Sequence, residues 1–424
     1  MRKRALGVAA LATLALAATG CGGAEPATPT ASSGASAPAT AAASGGTLVI
    51  WADPSRVQPL QPFAEAFGKE NGVTVEVKEI SKDNQMTFLT ASQQGSGPDI
   101  MIGAHDWIGN LVQNGAIDPV TLTEEQKAAF SAKALQAVTF NGQVYGAPYA
   151  VENIALIRNT KLAPDAPASI EDLIAKGKKL KADGKVKEVL CLPVGQKGDA
   201  FHVYPIFASA GGALFGATSS GDPDPKTVLL GADDSVKAFK KLKDLGEKGD
   251  GALRTSITNE NYIVNFAAGK CAYLVSGPWA IADVKKAGVA YDISPVPAFE
   301  GGKPATPFVG VQTFFVASKG KSKALAQEFV ANYVTNVDVA MALYKADPRP
   351  PALSAALQQV QAEDPDAVKF MDAGKDGMPM PAIPEMAAIW EPFGIAENAA
   401  VKGGDAAAAA AAAQKAVDGA LKNN

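Results

Sequence analysis

The sequence predicts an α/β protein with a largely parallel sheet and helices on both of its faces. From Thr47 onward, short apolar runs typical of strands alternate with amphipathic stretches typical of helices. Polar and aromatic residues follow several of the apolar runs, at the strand ends where open α/β sheets bind ligands. About 380 residues follow residue 46, which is enough for two domains with separate cores.

The alternation is clearest in the first part of this body. The segments TLVIW and VTVEVKEI have the composition of strands, and residues 59–69 and 84–93 have helical periodicity. Each strand is thus followed by a helix and then by another strand. This order predicts βαβ units, in which neighbouring strands run parallel.

A polar triplet interrupts the next apolar run. Residues 99–102 read as a short buried strand, and the apolar residues from Ile108 onward recur at helical spacing. His105, Asp106 and Trp107 therefore lie at a strand-to-helix turn. Asp106 has two explanations here, a cap of the following helix or a ligand-binding group, and His105 is expected to be a structural hydrogen-bonding residue.

Later helices are recognised by their ends. A helix is predicted to begin at Ser169, which is followed by acidic residues, and to end at Gly184. The segment SVKAFKKLKDLGEKG predicts another amphipathic helix with lysines on its solvent face. The C-terminal alanine run, preceded by Asp405 as its cap, predicts an ordered surface helix because alanine is the best helix former.

The N-terminal 46 residues read as a targeting segment and a tether. Basic residues 2–4 precede the apolar run 5–18, which is the order of a secretory signal peptide. The segment AATGC resembles a bacterial lipobox, so residues 1–20 are predicted to be a lipoprotein signal peptide and Cys21 the lipidated residue. Residues 21–46 consist mostly of Gly, Ala, Ser, Thr and Pro, which predicts a flexible tether.

Charge and composition exclude several classes of partner. Cleavage before Cys21 would remove three basic residues and shift the formal net charge from −4 to −7. A mildly acidic secreted body argues against nucleic acid and anionic lipid as partners. No later apolar run is long enough to span a membrane. We therefore expect a soluble body that is held to the membrane only by lipid on Cys21.

Two cysteines remain in the predicted folded part. Cys191 and Cys271 lie in the strand-like segments EVLCLPV and KCAYLV. An oxidising extracytoplasmic location permits a disulfide between them. Two unpaired core cysteines are the alternative.

The tryptophans and nearby charged residues suggest a sugar site. Two of the four tryptophans, Trp107 and Trp279, follow strand-like runs, and Trp390 is predicted to lie on a helix after a proline-broken loop. A lone tryptophan is usually a core residue, but Arg56, Asp106 and Glu152 lie at comparable strand ends. Aromatic faces stack on the C–H faces of a sugar, and carboxylates and guanidinium groups bind its hydroxyls.

Other chemistries have weaker support in the sequence. No phosphate-binding glycine loop follows a strand, and no cluster of cysteine or histidine has metal-ligand spacing, so no metal or cofactor is predicted. His105 and His202 lack the nucleophile elbow of a serine hydrolase. A secreted glycoside hydrolase acting on α-glucans, with Asp106 and Glu152 as its carboxylate pair, is the alternative function.

Seven segments in order resemble the extracellular solute-binding proteins of carbohydrate ABC importers, in particular the maltose/maltodextrin-binding branch. They extend from Thr47 to near the C terminus and are LVIWADPSR, GPDIMIGAHDWIG, NGQVYGAPYAVENIALIRN, FASAGGALF, FAAGKCAYLVSGPWA, PFVGVQTFFVAS and MPAIPEMAAIW. Each motif is weak singly, but the combination is specific. The resemblance implies a non-enzymatic receptor that captures maltose, maltodextrin or a related α-glucoside and delivers it to membrane permease subunits.

The resemblance also implies a periplasmic-binding-protein-like fold of two discontinuous lobes joined by three hinge segments. The predicted N-lobe contains residues 47–150 and 314–361, and the predicted C-lobe contains residues 155–308 and 367–424. The hinges would be residues 151–154, 309–313 and 362–366. We expect the receptor to be a monomer.

Matching the motifs residue by residue implies a ligand-binding set. Its polar members are Arg56, Asp106, Glu152 and Asp199, and its aromatic members are Trp107, Phe201, Trp279 and Trp390. Two departures affect the choice of sugar. Gly103 stands where some members have a stacking tryptophan, which Trp107 would replace, and Gly394 stands where some have a sugar-binding arginine. Maltose, maltodextrin, trehalose and a cyclic glucan all fit the resemblance.

Overall fold

The computed structural model describes residues 46–81, 83–219 and 221–422. The predicted signal peptide, Cys21 and all but the last residue of the tether lie outside these residues. No helix within the described ranges is long and apolar enough to cross a membrane.

The described residues contain fourteen strands. They are β1 Thr47–Ala52, β2 Thr74–Glu79, β3 Ile100–Ala104, β4 Ile117–Asp118, β5 Thr139–Phe140, β6 Gln143–Val144, β7 Ala147–Asn153, β8 Ala155–Asn159, β9 Phe215–Ala217, β10 Pro223–Val228, β11 Tyr273–Ser276, β12 Tyr291–Ser294, β13 Phe308–Ala317 and β14 Met378–Pro379.

Sixteen α-helices lie between these strands and after them in the described chain. They are α1 Pro54–Asn71, α2 Asn84–Gln93, α3 Ile108–Gln113, α4 Glu124–Ala129, α5 Ala132–Ala137, α6 Ile170–Ala182, α7 Ala200–Ser209, α8 Asp233–Leu245, α9 Tyr262–Ala267, α10 Ile281–Lys286, α11 Lys323–Glu328, α12 Val337–Ala346, α13 Ser354–Glu363, α14 Pro365–Ala373, α15 Trp390–Val401 and α16 Ala406–Lys422. Short 3₁₀ turns lie at His105–Trp107, Pro278–Ala280 and Pro384–Ala388, and Phe329–Tyr333 is π-helical.

The largest sheet is mixed, whereas the sequence predicted a largely parallel one. Strands β2, β1 and β3 are parallel neighbours, as the βαβ pattern predicts. Strand β13 is antiparallel to β3, β4 and β7 and parallel to β14. The difference arises from the register of β13 on β3. Gln312 lies opposite Ala104, at the end of β3, and Val316 lies opposite Ile100, at its start. Strand β13 therefore runs back along β3.

The other sheets are small. Strands β11, β8 and β12 form an antiparallel sheet of three strands, with β8 in the centre. Strand pairs β9–β10 and β5–β6 form two separate antiparallel hairpins.

Buried apolar residues separate into two sets. The N-core draws its members from residues 48–150 and 311–356. The C-core draws its members from residues 154–308 and 380–417, and a smaller cluster from residues 155–373 packs beside β8 and β11. This division confirms the two-lobed α/β fold. The lobe limits and the three hinge segments stay predictions.

Local sequence signals explain where several helices begin. Ser169 accepts a hydrogen bond of 3.1 Å from the Asp172 backbone N–H at the start of α6, and Asp405 accepts one of 2.8 Å from Ala408 at the start of α16. Helix α1 begins five residues before the predicted residue 59. Its earlier start follows from Pro54, which suits a first helical turn, and from Asp53, which caps it.

The structure joins Cys191 and Cys271 by a disulfide within the smaller cluster. Both side chains are fully buried, and their Cα atoms are 5.9 Å apart. Cys191 lies in an isolated bridge to Leu274 of β11. The bond closes a loop of 80 residues, and such a closure restricts the unfolded chain.

We expect reduction of this disulfide to lower the free energy of unfolding by about 2–5 kcal/mol, the usual range for a native disulfide. Urea unfolding with and without a reductant measures the change. The double variant Cys191→Ala/Cys271→Ala is the control, since its unfolding should not respond to reductant. An equal midpoint for the oxidised and reduced protein would contradict a bond between these residues.

Candidate functional site

Six of the eight predicted ligand-binding residues line one cleft of about 370 Å³. The six are Asp106, Trp107, Glu152, Phe201, Trp279 and Trp390, and the cleft also contacts Ala104, Arg349 and Met380. This volume lies within the range of small-molecule sites. Trp107 packs against the N-core, whereas Phe201, Trp279 and Trp390 pack against the C-core, so the cleft lies between the two cores.

Asp106 is presented to the cleft by the 3₁₀ turn that follows β3. Its side chain caps no helix, because helix α3 begins without a side-chain cap, and the capping interpretation of Asp106 is therefore wrong. Its Oδ2 accepts a hydrogen bond of 3.1 Å from the Trp390 indole N–H across the cleft. Its Oδ1 is buried and has no hydrogen-bond partner among the described residues.

Burial also sets the protonation of Asp106. Removal from water raises the pKa of this carboxyl from 3.8 to about 7, and the nearby charge of Glu152 contributes in the same direction. The hydrogen bond from Trp390 opposes the shift. Asp106 therefore exchanges between its protonated and ionised forms near neutral pH, with one oxygen free to bind another group.

His105 has the structural role that was predicted for it. Its imidazole is fully buried, accepts a 3.0 Å hydrogen bond at Nδ1 from the Val311 N–H, and lies 3.0 Å from the Met380 carbonyl at Nε2. The Val311 donor assigns the proton to Nε2. Burial lowers the pKa of His105 to about 4, so the ring is neutral when it makes these two bonds.

Glu152 and Arg349 form the charged part of the cleft. Glu152 is buried on β7, its Oε1 accepts a 2.9 Å hydrogen bond from Gln312, and its Oε2 pairs with Arg349. Arg349 also pairs with Asp347, and its guanidinium lies 5.3 Å from the centre of the Trp279 ring. These contacts place a carboxylate and a guanidinium next to an aromatic face.

Sequence reasoning missed Arg349. Its segment, DPRPP, contains an arginine between two prolines, which hold the backbone extended. The loop pairs with β7, because Val151 donates a hydrogen bond of 2.7 Å to the Pro350 carbonyl. An isolated arginine in a rigid loop is the one feature of the sequence that could have indicated a binding residue here. Only the pairing of the loop with β7 brings Arg349 to Glu152.

Three of the four aromatic residues that line the cleft pack against the C-core. Trp279 donates a 2.8 Å hydrogen bond from its indole nitrogen to the Tyr262 hydroxyl, and its ring centre is 6.3 Å from that of Phe201. Trp390 begins α15 and packs edge-to-face on Phe308 at 5.9 Å. Trp279 and Trp390 are both half-buried, which leaves part of each ring accessible from the cleft.

Asp199 does not line this cleft. Its Oδ1 accepts from the His202 backbone N–H at 3.0 Å, which caps α7, and lies 2.9 Å from His202 Nδ1, while its Oδ2 accepts from Asn259 at 2.8 Å. Burial acts to raise the pKa of Asp199, but these interactions with His202 lower it below its usual value. The His202 ring reaches Tyr262 through Nε2 at 3.4 Å, so Asp199 supports the partner of Trp279.

Arg56 also lies outside the lining of the cleft. It is buried, it pairs with Asp53, and its Nη2 is 3.7 Å from Asp347 Oδ2. Its guanidinium lies 5.3 Å from the centre of the Tyr149 ring. Because Asp347 also pairs with Arg349, Arg56 is one contact removed from the cleft.

The structure gives a physical reason for Gly394. A Cβ at this position would lie 2.5 Å from the Lys197 carbonyl oxygen. Gly198, with φ of +75°, belongs to the same loop, and a Cβ on it would overlap the Gly394 backbone. The loop 195–199 therefore occupies the space that a side chain at position 394 would need.

The arrangement suits a neutral ligand with hydroxyl groups and flat apolar faces. Carboxylates and a guanidinium bind hydroxyls, and indole rings cover apolar faces. Within residues 46–81, 83–219 and 221–422, no group of three or more His, Cys, Asp or Glu side chains is arranged to hold a metal ion.

Comparison with known proteins agrees with this geometry. Residues 63–371 match the family described as bacterial extracellular solute-binding protein. The chain is 27% identical to a galactooligosaccharide-binding protein of Bacillus subtilis (strain 168), over 84% of this chain and 85% of that protein. It is 28% identical to a maltotriose-binding protein of Pyrococcus abyssi (strain GE5 / Orsay), over 81% and 75%.

A third relative adds the context of transport. The chain is 28% identical to a maltooligosaccharide ABC transporter solute-binding lipoprotein of Streptococcus pneumoniae (strain ATCC BAA-255 / R6), over 81% of each chain. The family match covers well over half of the sequence, from helix α1 to helix α14, and so includes strands from both cores. The chain therefore belongs to the bacterial extracellular solute-binding protein family.

Proposed function

We propose that this protein is the sugar-binding component of an ABC importer, which captures a maltooligosaccharide outside the membrane and delivers it to the permease subunits. The observation that carries the proposal is the pairing of ionised groups with half-buried indole rings around one cleft. The relatives named for maltotriose and maltooligosaccharide support the choice of an α-glucoside.

The polar and the aromatic residues of the cleft supply different kinds of contact. Asp106, Glu152 and Arg349 bind sugar hydroxyls, and the unpartnered Oδ1 of Asp106 is the first acceptor available to them. Trp279 and Trp390 stack on glucosyl rings. Trp107 and Phe201, which also line the cleft, supply further apolar surface to the same rings.

Contacts across the cleft compete with the ligand. The Trp390 indole donates to Asp106, and the Arg349 guanidinium lies over the Trp279 ring. A bound sugar replaces these contacts with its own hydroxyls and apolar faces. The ligand favours a closed arrangement of the two lobes to the extent that it binds both sides at once.

The predicted lobe limits follow the same division. Residues 47–150 with 314–361 form the N-lobe, and residues 155–308 with 367–424 form the C-lobe. Support comes from the two cores, whose members fall on either side of β7 and β13. Those paired strands provide the first two hinges, and the turn between α13 and α14 provides the third.

The cleft binds its ligand without a chemical step. The raised pKa of Asp106 also occurs in general acids of glycosidases. A glycosidase also needs a second carboxylate to act as base or nucleophile. Here both oxygens of Glu152 are already engaged, one by Arg349 and the other by Gln312, which favours a binding role.

An N-terminal lipid holds the receptor at the outer face of the membrane. Cleavage of signal peptide 1–20 leaves lipidated Cys21 and the rest of tether 21–46 as this anchor, and the solute-binding lipoprotein among the relatives supports it. The receptor acts as a monomer. Mass spectrometry of the mature chain tests the anchor, since a mature N terminus at Cys21 without an acyl addition would contradict it.

Calorimetric titration of the mature protein with maltotriose, maltose, trehalose, a cyclodextrin and a galactooligosaccharide tests the proposed function. We expect heat of binding with maltotriose and no release of glucose or maltose during prolonged incubation. If only the galactooligosaccharide binds, the substrate class is a galactoside and not an α-glucoside. Absence of heat with every sugar, or hydrolysis that is lost in Glu152→Gln, would overturn the proposal.

Replacing Trp279 or Trp390 by alanine should weaken maltotriose binding by roughly 30- to 150-fold. An indole buries about 150–250 Å², of which a stacked sugar covers about half, so the loss is about 2–3 kcal/mol. Trp51→Ala is the matched control, because Trp51 packs against the N-core and does not line the cleft. It should lower the thermal midpoint and leave affinity unchanged. If Trp279→Ala and Trp390→Ala instead lower the thermal midpoint and leave the affinity unchanged, the two tryptophans are core residues.

The affinity should rise as pH increases from 5 to 8. Sugar hydroxyls donate to the ionised form of Asp106, whose pKa is about 7, so each unit below 7 should weaken binding by up to about tenfold. The same raised pKa makes the free energy of unfolding fall as pH rises from about 3.8 to about 7, because the unfolded chain ionises this carboxyl at the lower pH. Titrations of the unchanged protein and of Asp106→Asn measure both effects. Parallel pH profiles for the two proteins would contradict this role of Asp106.

A further inference from the structure

Two cleft tryptophans lie across the backbone of a nearby glycine. A Cβ built on Gly103 would be no farther than 2.9 Å from Cζ3, Cε3 and Cη2 of the Trp107 indole. A Cβ built on Gly277 would be no farther than 2.6 Å from the same three atoms of Trp279. The six-membered part of each indole thus occupies the space of a missing side chain.

The backbone conformation does not require glycine at either position. Gly103 lies within β3 and has no positive φ, and Gly277 has φ of −99° and ψ of −173°, which any residue adopts. An alanine would fit both backbones without strain. The atoms nearest to the new Cβ all belong to the indole ring, so the ring is the group that must move.

Other contacts fix each ring in its position over the glycine. The Trp279 nitrogen donates to the Tyr262 hydroxyl at 2.8 Å, and Arg349 lies over the ring. Trp107 stacks on Phe315 of the N-core, with 6.5 Å between the ring centres and an angle of 27° between the planes. A displaced indole would lose these contacts and enter the space of the cleft.

We propose that Gly103 and Gly277 are specificity-determining residues of the cleft, because each sets the position of one tryptophan ring on one side of the ligand. The inference rests on the proposed function and deepens it. The two glycines leave room for the indoles to lie back against the strand ends, so the cleft between them accepts an oligosaccharide ring. A side chain at either glycine would narrow the cleft and tilt a stacking surface.

Alanine substitutions test this inference in the full chain, with maltotriose as the probe. Gly103→Ala and Gly277→Ala should each weaken maltotriose binding by about tenfold or more, on the scale of one aromatic stack. The thermal midpoint should remain close to that of the unchanged protein. Gly419→Ala is the matched control, since Gly419 has open space around it and no positive φ, and affinity should not change.

A core glycine provides the opposite control. Gly212 also has an aromatic ring across it, that of Phe207, which is fully buried in the C-core. Gly212→Ala should therefore lower the thermal midpoint, since the displaced ring has no cleft to enter. Equal losses of stability in Gly212→Ala, Gly103→Ala and Gly277→Ala, with unchanged affinity in all three, would assign these glycines to packing and overturn the inference.

A double-mutant cycle separates the position of the ring from other effects. In a Trp279→Leu background the indole is absent, so adding Gly277→Ala should change maltotriose affinity by less than about twofold. A full tenfold loss in that background would contradict the inference.

Spectroscopy without ligand tests the ring position independently of the proposed function. Gly277→Ala should alter the tryptophan emission and near-ultraviolet circular dichroism, because the indole leaves the Tyr262 hydroxyl. Unchanged spectra would overturn the inference even if maltotriose binds. Failure of the unchanged protein to bind maltotriose, with altered spectra in Gly277→Ala, would instead overturn only the proposed substrate.

Discussion

The buried imidazole of His105 is the interaction on which the geometry of the cleft depends. It joins the turn after β3 to Val311 of β13 and to Met380, which precedes the segment leading to Trp390. Both bonds require a neutral ring, with one nitrogen accepting and the other donating, and burial keeps the pKa near 4. Asp106 follows His105 directly, so the same contact holds this carboxylate at the cleft between the two cores.

The charged groups around the cleft pair with one another and leave one carboxylate available to a ligand. Arg56, Asp347, Arg349 and Glu152 form a continuous series of ion pairs, in which each buried charge has an opposite neighbour. Asp106 has only a neutral indole donor, so burial raises its pKa, and one of its oxygens has no partner among the described residues. Such a group gains most from a ligand that donates hydrogen bonds. The adjoining indole rings favour a ligand that also has an apolar face, and a sugar meets both conditions.

Most of the predicted site was accessible to sequence reasoning because its residues follow apolar runs. Asp106 and Trp279 lie at strand ends, where the fold class alone predicts ligand contacts. Arg349 was missed because it lies in a loop whose pairing with β7 spans about two hundred residues of sequence. Asp199 was expected to bind the ligand, but its carboxylate is occupied by a helix N terminus, His202 and Asn259. No local pattern reports which of several polar neighbours a carboxylate will contact.

The sequence by itself determined the alternation of strands and helices and the caps at Ser169 and Asp405, because these depend on periodicity and on neighbours within a few positions. It also indicated six of the residues that line the cleft, through their place after apolar runs and through the family resemblance. Only the tertiary structure decided the direction of β13 in the largest sheet. It also decided that the Trp107 ring fills the space where a side chain at Gly103 would lie. Both features depend on contacts between segments that local preference does not bring together. Burial of apolar side chains in two separate cores decides which segments pack against each other.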